Sequence, residues 1–272
     1  MNQEEIIEKY NKLKQFRILL DKSIINHKKI KITEFLKNLR INDERVNNNL
    51  NINFPLYSAP IKEIYGSQLM NYYDEIYIDS QFIANPNNST IINCQLTHEL
   101  LHSLSNDELG RIYFFGHLVD ENYLGIDEAT TQLLTEEIEG YYLDEKNDSR
   151  FYFIKNIMRI LKVVISEEHL IKQYLNIDNS FENEINALMN DNDWLNRFSI
   201  MIKKYYIFKG NKNHIDDLKI LEQEIIERTL QVIDRQISYD SNVYKKIVSE
   251  FEKINSDFLE KYNILKNKSF NL

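Results

Sequence analysis

Cysteine, proline and glycine are scarce in this chain of 272 residues, which contains one, three and six of them respectively. The single cysteine, Cys94, cannot form an internal disulfide, so nothing argues for an oxidising compartment. No segment approaches the roughly 18 uncharged apolar residues of a membrane span, and the stretch from Met1 to Lys29 has no apolar run of signal-peptide length. We therefore expect a cytoplasmic protein without a membrane partner, although export without a leader leaves no trace in a sequence.

Positive charge is also in the minority. The chain carries 33 basic and 42 acidic residues, which gives a net charge of -9 at pH 7. This charge repels polyanions and leaves no broad electrostatic footprint for nucleic acid or anionic lipid, so a nucleic-acid partner is not expected. Apolar residues make up 43% of the chain and aromatic residues 12%, which is enough for a sizeable core.

The few breaker residues divide the chain by their positions. All three prolines lie between Pro55 and Pro86, four of the six glycines lie between Gly110 and Gly140, and residues 1–54 contain neither type. Both ends of the chain are therefore predicted to be helical. Near the C-terminus, apolar residues recur at the three- and four-residue spacing of an amphipathic helix, as in Ile220, Leu221, Ile225, Leu230 and Ile233.

The centre of the chain has a different pattern. The segment Glu75–Asp79 alternates polar and apolar residues and predicts a strand, and Ile61–Tyr65 is a weaker strand candidate. We expect a mainly α fold with a small antiparallel β-sheet of two to four strands. Three parts are predicted, namely a helical N-terminal lead-in at 1–54, a central unit at 55–145 and a helical C-terminal subdomain at 146–272.

A helix is predicted directly after this central segment. Turn chemistry in the Asn-rich stretch Ala84–Ser89 indicates a helix that begins at Asn88 or Ser89 and ends at about Leu104. Inside it, His98 and His102 belong to the motif H-E-x-x-H and project from one helical face. The opposite face carries apolar residues that would pack on a core, namely Leu96, Leu100, Leu101 and Leu104.

Two imidazoles at this spacing can hold one metal ion. Zinc fits best, because it accepts neutral imidazole nitrogen in tetrahedral geometry and three protein ligands leave a fourth position for water. Glu99 would then be the general base that takes a proton from that water. The alternative is that His98 and His102 face each other by chance, without a metal.

The third ligand has to come from another segment, and Gly125–Thr135 is the best source. Glu128 is predicted to lie in the first turn of a helix after a glycine loop, with Asp127 as its N-cap. A carboxylate at that place can also serve only to cap the helix and complement its dipole. Other residues of the connecting segment that could supply the ligand are Asp107, His117, Asp120 and Glu121.

The two segments together resemble the gluzincins, zinc peptidases related to thermolysin. Small members of that family carry H-E-L-L-H and then N-E-G-x-T-E-x-L-T, and residues 127–135 of this chain match the second motif at Glu128, Thr131, Leu134 and Thr135. The resemblance implies that Glu128 is the third zinc ligand. Asp127 and Ala129 replace residues of similar size, whereas Gln132 replaces a carboxylate that in relatives can orient a ligand histidine.

The resemblance also implies a residue that stabilises the oxyanion near the metal. Tyr123 can do this, with Tyr113, His117 and His214 as weaker alternatives, although each of these is more often a packing or surface residue. Cys94 lies one turn before His98 and could be a fourth, inhibitory ligand, but a lone helical cysteine is usually a core residue. The remaining aromatic residues of note are interpreted as packing residues, namely Trp194, Phe151, Tyr152 and Phe153.

The predicted function is that of a zinc-dependent metallopeptidase of the gluzincin kind, acting on a peptide or protein. Its sheet edge would hold an extended peptide by backbone pairing. Two alternatives stay open: an effector or toxin-like protease with a single protein target, and a binding or regulatory protein that holds zinc without catalysis. The His98, Glu99 and His102 set argues against the second alternative, and Gln132 is the one feature that favours it.

Overall fold

The structure is a computed structural model that describes residues 3–65, 69–72, 75–107, 113–118, 120–143, 145, 151–209, 214–254 and 257–265. Helices dominate it, as predicted. The helices are α1 (Gln3–Phe16), α2 (Ser23–Asn38), α3 (Glu44–Asn51), α4 (Ile61–Tyr65), α5 (Ser80–Ile83), α6 (Ser89–Ser105), α7 (Leu124–Glu139), α8 (Tyr152–Val164), α9 (Glu167–Tyr174), α10 (Ser180–Met189), α11 (Trp194–Lys209), α12 (Ile215–Tyr239), α13 (Val243–Glu252) and α14 (Asp257–Lys261). The strands are β1 (Ile18–Leu19), β2 (Leu56–Ala59), β3 (Leu69–Tyr72), β4 (Glu75–Asp79), β5 (Tyr113–Phe114) and β6 (His117–Leu118).

Two compact units make up the chain. The first consists of Met1–Leu104 and Thr135–Gly140, and the second of Ser105–Leu134 and Tyr141–Leu272. Helix α7 is continuous across this division. These boundaries differ from the predicted ones at 54/55 and 145/146, because the N-terminal helices belong to the same unit as α6. Within the described ranges, no helix is both long and apolar enough to cross a membrane.

The first unit contains a small four-stranded sheet with the order β1-β2-β4-β3. The small sheet was predicted, but it is not wholly antiparallel: β2 and β4 run parallel, from Leu56 opposite Ile76 to Ala59 opposite Asp79. The strand predicted at 75–79 is β4, and it lies between β2 and β3 in the sheet. Its central residues are fully buried, as expected of a strand flanked on both sides, namely Ile76, Tyr77 and Ile78.

The weaker strand candidate at 61–65 was wrong, since this segment is helix α4. The reason lies at the end of β4, where the Asp79 carboxylate is buried. One of its oxygens accepts the Lys62 N–H at 2.9 Å, which satisfies a free donor in the first turn of α4. The other oxygen accepts the N–H groups of Gln81 and Phe82 and caps α5. One aspartate therefore starts two helices, and alternation within 61–65 alone could not reveal it.

A buried carboxylate at the end of α7 ties three helices of the first unit together. Glu139 accepts hydrogen bonds from Lys28 on α2 at 2.8 and 2.9 Å, from Lys31 at 2.8 Å and from Thr97 on α6 at 2.5 Å. The side chains of Lys28 and Glu139 are only 3% and 6% exposed. Burial alone would raise the pKa of Glu139, but these hydrogen bonds outweigh it and hold that pKa below its ordinary value.

The second unit is a helical assembly with an extensive core. Helix α8 is buried along most of its length, and α12 buries one face, including Leu221, Ile225 and Ile233. This confirms the amphipathic helix predicted from the apolar spacing. Trp194 is 2% exposed and stacks on Phe198 with ring centroids 4.8 Å apart. Trp194 is therefore a packing residue, as predicted, and so are the buried Tyr152 and Phe153.

The Glu139 cluster leads to a first prediction. We expect Glu139→Gln to lower the free energy of unfolding by about 3 kcal/mol, because it leaves the Lys28 charge buried without its partner. The folded-state pKa of Glu139 is depressed, so this contribution is present above the ordinary carboxyl pKa of 4.5 and is lost as the pH falls through the lower folded value. Denaturant unfolding of both proteins from about pH 7 to about pH 3 measures it.

The matched control is Glu34→Gln, which removes an exposed carboxylate from α2. We expect it to leave the free energy of unfolding nearly unchanged at every pH. An equal loss in both variants, or a loss in Glu139→Gln that does not shrink at low pH, would contradict the role assigned to Glu139.

Candidate metal centre

Helix α6 carries the H-E-x-x-H motif and runs from Ser89 to Ser105, as predicted. Its leucine face is buried, with 0–2% exposure at Leu96, Leu100, Leu101 and Leu104. Its C-terminal carbonyl groups are capped by α3: the Arg45 guanidinium donates to Leu104 O at 2.8 Å and the Asn49 amide donates to Ser103 O at 3.3 Å. A cation at this end also complements the helix dipole. The buried face and the cap together determine which way the opposite face points.

His98 and His102 project from that opposite face and meet each other. Their Nε2 atoms are 3.1 Å apart, and the rings are nearly perpendicular, with an interplanar angle of 76°. Two imidazoles in this arrangement either share a proton in a hydrogen bond or share a cation. In tetrahedral coordination with Zn–N distances of about 2.05 Å, two ligand nitrogens are about 3.3 Å apart. The observed separation fits that spacing closely.

Glu99 lies between the two histidines in sequence and is half-buried. Within the part of the chain that the structure describes, its carboxylate makes no hydrogen bond and no ion pair. Most half-buried carboxylates are engaged by a donor or a cation, because partial desolvation of an ionised group is costly. Glu99 is therefore available as a proton acceptor.

Glu128 on α7 completes the group. One nitrogen of each imidazole and one carboxylate oxygen of Glu128 all lie within 4.8 Å of one another, and all three residues are half-buried. Among the described residues, no other set of three His, Cys, Asp or Glu side chains is grouped in this way. The structure thus brings together the three predicted ligands. Two neutral nitrogens and one carboxylate oxygen form a donor set that zinc accepts, so these residues fit the ion that the sequence predicts.

The start of α7 differs from the prediction. No glycine loop precedes Glu128, because α7 already begins at Leu124 and Gly125 lies inside it. A Cβ at Gly125 would come within 2.7 Å of Ile202 Cγ2, so glycine is needed here for close packing against α11. Asp127 is not the N-cap either: it is fully buried, and its carboxylate accepts the N–H of Phe115 at 2.8 Å.

This contact joins α7 to a hairpin that was not predicted. Strands β5 and β6 pair through Phe114 and His117, and the two residues between them, Phe115 and Gly116, have φ values of 50° and 80°. Positive φ at both positions is typical of a tight hairpin turn, but a phenylalanine there costs about 1 kcal/mol. The signal in the sequence was Gly116, although the partner of Phe115 lies too far along the chain for a local pattern to show it.

Tyr123, the predicted oxyanion residue, is buried against His117. Its ring stacks on His117, with centroids 3.6 Å apart, and the residue is 2% exposed. Burial raises the pKa of Tyr123, and the negative charge of Glu182 adds to the effect. His117 Nε2 lies 3.1 Å from Glu182 Oε2, without the alignment of a hydrogen bond. The oxyanion role of Tyr123 stays a prediction.

The alternative third ligands are engaged elsewhere or lie outside the metal group. His117 pairs with Glu182 as described, Asp120 accepts the N–H of Asn122 at 3.0 Å, and Glu121 lies 3.4 Å from Lys203. Asp107 does not belong to the group of three. Tyr113, an alternative oxyanion residue, lies in β5.

His214 and Cys94 are the two remaining residues that the sequence analysis considered for the site. His214 pairs with Asp217 at 2.8 Å. Cys94 is 5% exposed, and burial raises the pKa of its thiol to about 11. Such a thiol stays protonated at neutral pH, which favours the interpretation of Cys94 as a core residue.

Gln132 lies one helical turn after Glu128 and is 7% exposed, so it does not point into solvent. If its carbonyl orients a ligand imidazole, Gln132→Leu weakens zinc affinity by about 10- to 100-fold. Gln132→Glu should hold or tighten the ion, because a carboxylate increases ligand basicity. Competition against a chromophoric chelator measures both values, and an unchanged affinity in Gln132→Leu would rule this role out.

Comparison with known proteins was made for the whole chain. No family model, no curated protein and no solved structure matches it. The case for a metal centre therefore rests on the side chains of α6 and α7 themselves, that is, on the facing imidazoles of His98 and His102, the nearby carboxylate of Glu128 and the available carboxylate of Glu99.

Proposed function

We propose that the protein is a zinc-dependent metallopeptidase of the gluzincin kind. The single observation that carries the proposal is the group of His98, His102 and Glu128 donor atoms within 4.8 Å of one another, and Glu99 is next to His98 in the sequence. Two imidazoles and one carboxylate hold zinc and leave one coordination position for water. A structural zinc site would instead use four protein ligands, and no fourth one joins the group among the described residues.

Each residue has a separate task in this proposal. His98, His102 and Glu128 hold the ion, which when bound lowers the pKa of a water and polarises the substrate carbonyl. Glu99 would accept a proton from the attacking water and deliver it to the leaving amine. Its lack of a competing partner supports this task, because a carboxylate held by a lysine or arginine would be a weaker base.

The substrate is a peptide or protein segment in this proposal. Strand β3 forms one edge of the sheet in the first unit, so its outer backbone groups can pair with an extended chain. We propose pairing on β3 and not on β4, because β4 is flanked on both sides. Backbone pairing recognises an extended peptide without regard to its sequence, and pockets for alternate side chains then set specificity.

The ligand set can be tested by metal content. We expect about one zinc per wild-type chain and its loss in His98→Ala and in His102→Ala, because a site with three protein ligands does not survive the loss of one imidazole. Glu128→Ala should weaken zinc as well. Elemental analysis after dialysis measures all four proteins. Stoichiometric zinc in either histidine variant would end the assignment, and full retention in Glu128→Ala would move the third ligand to another residue.

Catalysis can be tested separately from metal binding. Glu99→Gln keeps the size of the side chain but cannot accept a proton, so zinc content should stay near one per chain while hydrolysis of a peptide library falls by about 10²- to 10⁴-fold. Glu121→Gln is the control, since it neutralises an exposed glutamate outside the metal group and should leave the rate unchanged.

The outcomes of this experiment separate the hypotheses. Zinc loss in Glu99→Gln would make Glu99 a ligand or a structural residue. An unchanged rate would mean that the hydrolysis comes from another protein or from other chemistry. A wild-type protein that holds zinc but cleaves no peptide of the library would contradict a general peptidase, and cleavage of one folded protein by that same preparation would identify a single-target protease.

A further inference from the structure

We propose that Asp127 is a positioning residue of the metal centre, which fixes the direction of Glu128 through the β5–β6 hairpin. The inference rests on the proposed function, because it treats Glu128 as a zinc ligand. Asp127 directly precedes Glu128 in α7 and is fully buried. A residue that touches neither the ion nor the substrate can still determine metal affinity when it orients a ligand.

Polar contacts hold Asp127 from three sides. Its backbone N–H donates to Tyr123 O at 2.9 Å, its backbone carbonyl accepts the Thr131 hydroxyl at 2.8 Å, and its carboxylate accepts the Phe115 N–H at 2.8 Å. The first two bonds follow the helix, but the third comes from a different element. Because Glu128 is covalently joined to this fixed residue, only its own side-chain torsions are left to choose the position of its carboxylate.

The hairpin is a rigid partner for this contact. The Phe115 ring is fully buried and meets the Phe181 ring edge to face, with ring centroids 5.8 Å apart. The backbone carbonyl of Phe115 accepts a hydrogen bond from the Gln173 side-chain amide at 3.5 Å. A Cβ at Gly116 would lie 3.0 Å from Gln173 O. Helices α9 and α10 therefore hold both residues of the turn. The positive φ of Phe115 persists because these contacts determine it, so the Phe115 N–H points in one direction only.

A second contact fixes the same turn of α7. The His117 ring, at the start of β6, stacks on Tyr123 with an interplanar angle of 10°, and Tyr123 supplies the carbonyl that accepts the Asp127 N–H. The hairpin thus contacts the beginning of α7 at two points, through the hydrogen bond from Phe115 to Asp127 and through the stacking of His117 on Tyr123. An ordinary helix cap would need only a side chain that accepts an N–H from its own helix. The link to a separate hairpin instead specifies orientation.

The experiment compares Asp127→Ala, Asp127→Asn and Asn186→Ala in the full chain. Asn186 is the matched control, because its buried side chain also accepts a backbone N–H in the second unit, from Leu195 at 3.0 Å. Affinity for Zn²⁺ is measured by competition with a chromophoric chelator, and the coordination geometry is read from the visible absorption of the Co²⁺-substituted protein. Thermal unfolding of each apoprotein reports stability independently.

We expect Asp127→Ala to weaken Zn²⁺ by about 10- to 100-fold and to reduce the Co²⁺ absorption that marks tetrahedral coordination. Asp127→Asn should stay near the wild-type affinity, since its amide oxygen can still accept the Phe115 N–H. Asn186→Ala should unfold at a lower temperature and bind Zn²⁺ as the wild type does. If Asp127→Ala fails to fold, Asp127→Ser is the milder change, because its shorter side chain cannot reach the Phe115 N–H, and the same loss is expected.

Two results would overturn the inference: wild-type Zn²⁺ affinity in folded Asp127→Ala or Asp127→Ser, or an equal loss of affinity in Asn186→Ala. Glu128→Ala, measured beside them, separates this inference from the proposed function. If Glu128→Ala binds Zn²⁺ as the wild type does, the ligand set itself is wrong. If Glu128→Ala loses affinity and Asp127→Ala does not, the ligand set stands and only the positioning role fails.

Discussion

The Glu139 carboxylate is the interaction on which the arrangement of the first unit depends most. It receives hydrogen bonds from two lysines of α2 and from Thr97, the residue before His98. Burial of an ion pair is costly in itself, and such pairs are retained more for the arrangement they specify than for net stability. Here a single carboxylate links α2, α6 and the last turn of α7. The N-terminal helices therefore belong to the same unit as α6.

The sequence predicted features with local signals and missed those that depend on contacts between distant parts of the chain. Helix α6 was predictable because its signals are local: turn residues before Ser89, a leucine face and two histidines one turn apart. The error at Gly125 had the opposite cause. Its glycine reflects the close approach of Ile202, a contact between distant parts of the chain, and no local pattern distinguishes such a glycine from one in a loop. The third ligand was in turn predicted from a resemblance and not from spacing.

Asp79 and Asp127 show a common physical limit of sequence reasoning. Both are acidic residues near helix starts, and both are buried because they accept N–H groups from elements that are not adjacent in sequence. Composition and periodicity treat an aspartate as a surface or capping residue. The structure instead uses each one to join two elements through backbone N–H donors. The parallel pairing of β2 and β4 escaped prediction for the same reason, because strand pairing is a long-range property.

The unequal edges of the small sheet have a consequence for self-association. On one side the sheet ends in β1, which pairs through only two residues, Ile18 and Leu19, and offers few backbone groups to another chain. On the other side it ends in β3, which pairs through four residues. Among the described strands, β3 therefore offers more backbone groups to a further strand than β1 does. Open-ended polymerisation by strand pairing requires two receptive edges on every molecule, so association through β3 alone would stop at a pair of chains.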